Sequence, residues 1–371
     1  MESRTLGVEE ELLLVDPADR TASPRAQQVL KYAAEHDLPD REDLDHELYR
    51  HQLETRTPPA ETLAELREHL LRRRALAAEA AAGVGLRTAA SATSPLGGAE
   101  PRTTRDDRYL ALVDTYGELA RTGGTCGMHV HVQVASDEEG VRVLDALRPW
   151  LPVLLAISAN SPFHAGRDTG HASWRALAWG QLPSAGPTER FGSVAGYHRV
   201  GRSLIESGAA RDEGMLYYDA RLARRFPTVE VRIADVCTDP ADAVLVAALA
   251  RGLVHHCAGP DAEPPGSAEL WRAELVRAAT WRAARDGLGG RLLDPLNARL
   301  RPAREVVGLL LETVREPLEA YGDDGEVREG LERVLGEGGS VRQRAAYERT
   351  GRLEDVVDDL VARTNLSAAA G

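Results

Sequence analysis

The stretch Leu6–Asp16, Leu-Gly-Val-Glu-Glu-Glu-Leu-Leu-Leu-Val-Asp, most constrains what this chain can become. Read as a β-strand, it sends successive side chains to opposite faces. Glu9 and Glu11 then share one face, and Val8, Leu12 and Leu14 share the other with Glu10. Two residues along a strand span roughly 7 Å. Carboxylates at that separation repel by about 2 kcal/mol at an effective dielectric of about 20. Stability alone gives no reason to keep such a pair in an apolar strand; cations held between the carboxylates do. The plainer alternative is a solvated face with gatekeeper charges.

Two further segments alternate in the same way. In Thr125–Ala135, Met128, Val130, Val132 and Val134 oppose His129, His131 and Gln133. Imidazole is a common ligand of divalent metals, although a polar solvent-facing side would look the same. In Pro227–Cys237, Val229, Val231 and Ile233 oppose Glu230 and Arg232. Three strands, each with one apolar and one polar face, predict an α+β fold. Its antiparallel or mixed sheet would have helices packed on the apolar side. The other side would be a concave surface of carboxylate, imidazole and arginine. Carboxylate ligands favour magnesium or manganese over zinc.

Between these strands, Asp45–Pro59 carries Glu47 and Glu54, either as part of that face or as a charged connector. Helices are expected over Ser23–His36, Ala60–Ala82, Asp106–Arg121 and Asp137–Ser158, the last interrupted around Pro149–Pro152. Pro58 and Pro59 would open the second, Leu63, Leu66, Leu70 and Ala77 form its apolar stripe, and Gly83–Gly85 stop it. Leu86–Pro95 reads as a small-residue strand. The long connection Ser158–Ser193 points to a substrate loop. Its Arg167 and Arg175 are candidate clamps for a carboxylate or phosphate, unless they are ordinary surface arginines. From Pro240 the chain reads as helical to its end: Pro240–Cys257, Ser267–Asp286, Arg301–Ala320, Glu326–Leu335 and Val341–Thr364. His255, His256 and Cys257 end a helix and read as structural. Gly259–Gly266 is the one soft boundary, so a single domain over 1–371 is expected, sheet-bearing to about 258 and helical beyond.

Composition narrows the partners. With 43% apolar and 28% charged residues the chain is globular. A net charge of −13 argues against nucleic acid or an anionic membrane. Cys126, Cys237 and Cys257 form no CxxC pair, the start Met-Glu-Ser-Arg-Thr is no signal peptide, and Trp150–Ala159 is too short to span a bilayer. A cytoplasmic protein acting on small molecules is expected, with a homodimer left open. Of 45 basic residues only Lys31 is lysine. Phosphate-loop enzymes and protein kinases need a lysine on the phosphates. Any phosphate held here therefore falls to arginine, metal or backbone amides. Carboxylate-held cations with arginine suit phosphoryl transfer to a small molecule.

Five motifs occur in order: Gly-Val-Glu-Glu-Glu, Gln-Leu-Glu-Thr-Arg-Thr-Pro, Gly-Met-His-Val-His-Val, Ser-Ala-Asn-Ser-Pro-Phe with Gly-Arg-Asp-Thr-Gly, and Pro-Thr-Val-Glu-Val-Arg-Ile-Ala-Asp-Val-Cys. Over about Leu6 to Leu253 this series resembles the glutamate–cysteine ligase type 2 family of carboxylate–amine ligases, relatives of glutamine synthetase. The resemblance implies ATP-dependent ligation. Glutamate would become an acyl phosphate with release of ADP, and an amine such as cysteine would then displace phosphate. It also implies that Glu9, His129 and Glu230 hold a magnesium or manganese ion on the ATP phosphates. Glu11, Glu47 and Glu54 would hold one near the acceptor carboxylate. Arg232 would stabilise the transferring phosphoryl, with Glu54 essential for turnover and His131 on the nucleotide side. Two other readings stay open. One is a guanidino-kinase-like phosphotransferase, whose reactive cysteine has no good candidate because Cys126 and Cys237 fall in strands. The other is a non-catalytic metabolite-binding protein.

Overall fold

The strand Leu6–Val15 (β1) organises the sheet, and its burial shows how far the binding face extends. Residues 6–9 alternate buried and half-buried, whereas Glu10–Val15 are buried throughout. Alternation ends where both faces become covered. The computed structural model describes residues 3–96, 102–104, 106–122, 124–259 and 270–365. Among them the further strands are β2 (Leu44–His46), β3 (Gln52–Arg56), β4 (Arg87–Ala89), β5 (Met128–Gln133), β6 (Phe163–His164), β7 (Arg167–Asp168), β8 (Ala220–Leu222), β9 (Thr228–Val231), β10 (Arg291–Leu293) and β11 (Leu300–Pro302). The main sheet runs β2-β3-β1-β5-β9-β8, with β4 also on β1. Of the two alternatives expected, the sheet is antiparallel: each of these pairings runs antiparallel.

Helices cover one face. Leu63–Ala82 and Pro240–Cys257 pack on the back of β1 and β5. Pro240–Cys257 is apolar on nearly all sides and correspondingly buried. One apolar cluster runs continuously from Leu6 to Leu360, so the C-terminal helices share the core of the sheet. Glu10, on the apolar side of β1, is fully buried there. Arg74 of the Leu63–Ala82 helix meets it with two hydrogen bonds, Nε to Oε2 at 2.8 Å and Nη2 to Oε1 at 2.6 Å. Arg74 also donates to the Cys237 and Thr238 carbonyls, which ties β1 to the chain beyond β9.

Several expected boundaries move, each for a local reason. The second helix begins at Leu63, not Ala60. Ala60 exchanges backbone hydrogen bonds with Leu6, and Thr62 with Glu65 forms the capping box. Leu86–Pro95 contributes only Arg87–Ala89 to the sheet. The helix after Asp106 breaks at Gly117, whose φ of 56° suits glycine. Ser158–Ser193 is not a bare loop, for it holds the β6–β7 hairpin and a short helix, Trp174–Trp179. The C-terminal third is not purely helical, because the β10–β11 hairpin interrupts it. Cys126 and Cys237 flank β5 and β9 instead of lying within them, and both are buried. The soft boundary expected at Gly259–Gly266 lies, past Gly259, outside the described residues.

The Ser-Ala-Asn-Ser motif turns out to be a pin. Asp235 accepts hydrogen bonds from the Asn160 amide and the Ser161 and Ser173 hydroxyls, each at 2.8 Å. The Asn160 side chain bonds the Val236 carbonyl, and Gln343 donates to Asn160 from the helix Gly339–Thr350. The motif thus locks the end of β9 to the C-terminal helices.

Candidate active site

Register, set by the antiparallel ladders, brings the polar residues together. Glu9 faces His129 and Arg56, Glu11 faces Glu54, His131 faces Glu230, and Glu230 faces Arg221. Directly opposed residues of an antiparallel pair lie on one face. A single surface therefore carries Glu9, Glu11, Glu54, His129, His131, Glu230 and Arg221, with Arg232 just past the end of β9.

The cluster divides into two ends. At one end Glu9, His131 and Glu230 each present a ligand atom within 4.8 Å of the others. His131 accepts or donates through Nδ1 to the Thr228 hydroxyl at 2.9 Å. Its Nε2 is buried without a hydrogen-bond partner among the described residues, 3.6 Å from Glu9 Oε1. A ring oriented through one nitrogen with the other left free is how protein imidazoles bind metals. Two carboxylates and an imidazole fit magnesium or manganese, whose remaining sites water or phosphate would fill. His129 stands beside this set rather than in it. Its Nδ1 lies 3.2 Å from Glu9 Oε2, 3.8 Å from Glu230 Oε1 and 3.3 Å from Arg232 Nη1. Burial and the Arg232 charge push His129 down to about 4, so at neutral pH it is an uncharged imidazole.

At the other end are Glu11, Glu47 and Glu54. Glu47 comes from the β2–β3 connection and hydrogen-bonds Glu54. Burial raises all three carboxyls; Glu47 raises Glu54 further, and Glu11 raises Glu47, whose hydrogen bond with Glu54 pulls it back down. Glu11 is steadied by the Gly127 amide, which donates to its Oε2 at 2.6 Å, while Arg56 lies 2.9 Å from Glu54. Three carboxylates in one buried corner either share protons or share a cation. Glu9 and Glu230 behave oppositely. Burial opposes their ionisation, but the imidazoles on Glu9 and the Arg232 and Arg221 guanidinia on Glu230 hold them below the usual carboxylate range.

Arg232 donates to Glu230 Oε1, and Arg221 donates to Glu230 Oε2 through Nε at 2.7 Å. Two cavities meet at Glu9. One, about 190 Å³, is lined by Glu11, Glu47, Glu54, His129, Arg221 and Arg232, with Tyr109 and Trp179 among its walls. The other, about 430 Å³, runs past His131 between Leu6, Val8, Pro58, Pro59 and Phe226.

The two loop arginines go elsewhere. Arg167 is exposed on the β6–β7 hairpin, away from this cluster. Arg175 is buried, and its guanidinium donates to the Arg232 and Ile233 carbonyls at 3.2 Å, bracing the chain after β9. It lies so close over Gly127 that a Cβ there would fall 2.2 Å from its Nη2, which accounts for the glycine in Gly-Met-His. Sequence reasoning missed Arg221. The alternation Asp219-Ala220-Arg221-Leu222 was the available signal, but three residues of strand are too few to stand out.

The family described as "Glutamate-cysteine ligase family 2(GCS2)" matches residues 5–359. A Nocardioides sp. protein named "Putative glutamate--cysteine ligase 2-1" is 54% identical over 371 residues, covering 98% of this chain and 97% of its own. A Streptomyces avermitilis protein of the same name is 46% identical over 363 residues, covering 97% and 99%. Among solved structures, a glutamate–cysteine ligase from Francisella tularensis in complex with AMP superposes with a TM-score of 0.71 at 13% identity, covering 100% of this chain and 90% of that one. A bifunctional glutathione synthetase from Pasteurella multocida also gives 0.71, at 17% identity, covering 99% of this chain. This chain spans about half of that protein, 52%. The structural likenesses establish the fold, and the family match over nearly the whole chain establishes more: the protein belongs to glutamate–cysteine ligase family 2, a family of carboxylate–amine ligases.

Proposed function

We propose that the protein is an ATP-dependent ligase that activates the γ-carboxylate of glutamate as an acyl phosphate and joins it to an amine, releasing ADP and phosphate. The observation that carries this reading is the division of one sheet face into two carboxylate sets, with Arg221 and Arg232 held on Glu230 and lining the cavity that the second set shares. Glu9, His131 and Glu230, with His129 beside them, take the nucleotide side. Glu11, Glu47 and Glu54 take the side of the substrate carboxylate. Magnesium or manganese bound at these sets would neutralise phosphate charge.

The protein's own groups do the remaining work. The apolar slot beside His131 suits an adenine ring, and the smaller polar cavity suits glutamate. Glu230 holds Arg221 and Arg232 in place, so their charge is oriented before phosphoryl transfer begins. The uncharged His129 keeps a lone pair available within the cluster. In the second step the amine nitrogen forms the C–N bond as the C–O bond to phosphate breaks. Cysteine is the acceptor that the relatives' names carry.

Hydroxylamine tests this reading, because it captures an acyl phosphate whatever the natural amine. Protein incubated with magnesium, ATP, glutamate and hydroxylamine is expected to yield glutamyl hydroxamate, ADP and phosphate. AMP and pyrophosphate would indicate adenylate chemistry instead. No hydroxamate from glutamate or related carboxylates would end the ligase reading.

A further inference from the structure

A third cavity, about 550 Å³, shares Trp179 with the carboxylate pocket. Its walls include Trp281 and Ile233, and Asp219 lines it. Asp219 is unused by the chemistry described above. It is 8% exposed, and its Oδ2 is buried with no hydrogen-bond partner among the described residues. Leaving a buried charged acceptor unsatisfied is costly, and native structures rarely do so without a reason. Two arginines are near enough to act on it. Arg175 is committed to the Arg232 and Ile233 carbonyls, and Arg277 is exposed on the helix Ala273–Asp286. Burial pushes the Asp219 carboxyl up to about 7 against the pull of both.

The position of Asp219 ties this cavity to the reaction. Its backbone carbonyl accepts the Arg232 amide at 2.8 Å, extending the β8–β9 ladder by one pair. Asp219 immediately precedes β8, so its backbone is fixed to the strand that carries Arg221 and to Arg232 beside it. Trp179 and Trp281 add apolar aromatic walls, with the Arg175 and Arg282 guanidinia 5.8 and 4.8 Å from their respective ring centres. A cavity of this size holds ligands well above cysteine.

We propose that this cavity receives the acceptor amine as its ammonium, with Asp219 as the receptor, and that the acceptor is a primary amine with an apolar or aromatic body larger than cysteine. The inference rests on the ligase reading above. Before and during attack the ammonium loses two protons, one to solvent and one to the departing phosphate, as the C–N bond replaces the C–O bond.

The test uses 2-phenylethylamine as the probe, with cysteine and hydroxylamine alongside, in the full chain with magnesium, ATP and glutamate. Asp219→Asn is expected to raise the KM for 2-phenylethylamine by about tenfold or more, with kcat and the glutamate KM moving far less. Ala278→Phe, on the exposed face of the lining helix, should shift preference from 2-phenylethylamine towards hydroxylamine by a similar factor, and it covers the case in which Asp219→Asn fails to fold. Calorimetric titration of 2-phenylethylamine into the wild type and Asp219→Asn reads the ammonium site directly. Hydroxamate formation without use or binding of 2-phenylethylamine, or an unchanged KM in Asp219→Asn, overturns this inference alone. Absence of hydroxamate from the wild type removes the ligase reading, while the titration still reports on the cavity.

Discussion

Glu11 and Glu54 stand directly opposite each other in the β1–β3 ladder, two carboxylates in a buried corner that Glu47 also enters. Like charges so placed destabilise a sheet by up to about 1 kcal/mol. The pair is not there for stability. Glu54→Gln is therefore expected to leave metal-free stability unchanged or raise it by up to ~1 kcal/mol. The same variant should lose the thermal gain from magnesium or manganese with ATP and slow hydroxamate formation by about a hundredfold or more. Denaturation with and without the ligands, beside the hydroxamate assay, checks both arms. A loss of several kcal/mol would make Glu54 a structural residue.

Arg232 is braced by Glu230 and reaches towards His129, so its charge is fixed in place. An arginine that acts on a transferring phosphoryl contributes chiefly in the transition state. Arg232→Lys is expected to lower kcat by about tenfold or more with a smaller change in the ATP KM. Steady-state kinetics at varied ATP decide it. An unchanged kcat would leave Arg232 as an ion-pair partner of Glu230.

His51 offers a pH prediction away from the carboxylate pocket. Burial holds it down to about 4, against a hydrogen bond with the Gly124 backbone. Unfolded histidine titrates near 6.5, so the unfolded chain takes up this proton first as pH falls. The stability His51 contributes is complete above about pH 6.5 and is lost towards pH 4, a difference of about 3 kcal/mol. His129 has the same sign, whereas Glu11, Glu47 and Glu54, raised by burial, lose stability as pH rises. Comparing His51→Asn with the wild type isolates one group. Urea melts at pH 7 and pH 4.5 should show a shallower acid loss in the variant, and identical slopes would refute the assignment.

The Glu10–Arg74 pair lies on the opposite side of the sheet from the chemistry, with both side chains fully buried. Arg74→Met strands a buried carboxylate and frees the Cys237 and Thr238 carbonyls, at a cost of about 3–5 kcal/mol. Replacing both partners, Glu10→Leu with Arg74→Met, should recover much of that loss. Chemical denaturation of the two singles and the double measures the coupling. Additive losses would mean that the pair is not a unit.

The sequence alone was enough to place Glu9 and Glu11, His129 and His131, and Glu230 and Arg232 on the polar faces of three strands, because alternation is a local property of extended backbone. The same pattern identified β1, β5 and β9 and the stripe Leu63, Leu66, Leu70 and Ala77, all buried. A sheet, antiparallel or mixed, with helices behind it followed from those faces, and the structure makes it antiparallel.

Tertiary structure decided which of these groups meet. Only register places His131 opposite Glu230 and His129 opposite Glu9, which brings both imidazoles to the two carboxylates. Only packing turned Arg175 into a brace for the chain after β9 and left Arg167 on an exposed hairpin. The Ser-Ala-Asn-Ser motif looked like substrate chemistry and proved to be a buried pin, because its partner Asp235 lies more than seventy residues away. Arg221 sits on, and Asp219 just before, a strand too short to announce itself. Periodicity tells a side chain which face of its own strand it occupies. Which strand lies beside it, and at what register, depends on burying every apolar face at once, a condition on the whole chain that no local stretch contains.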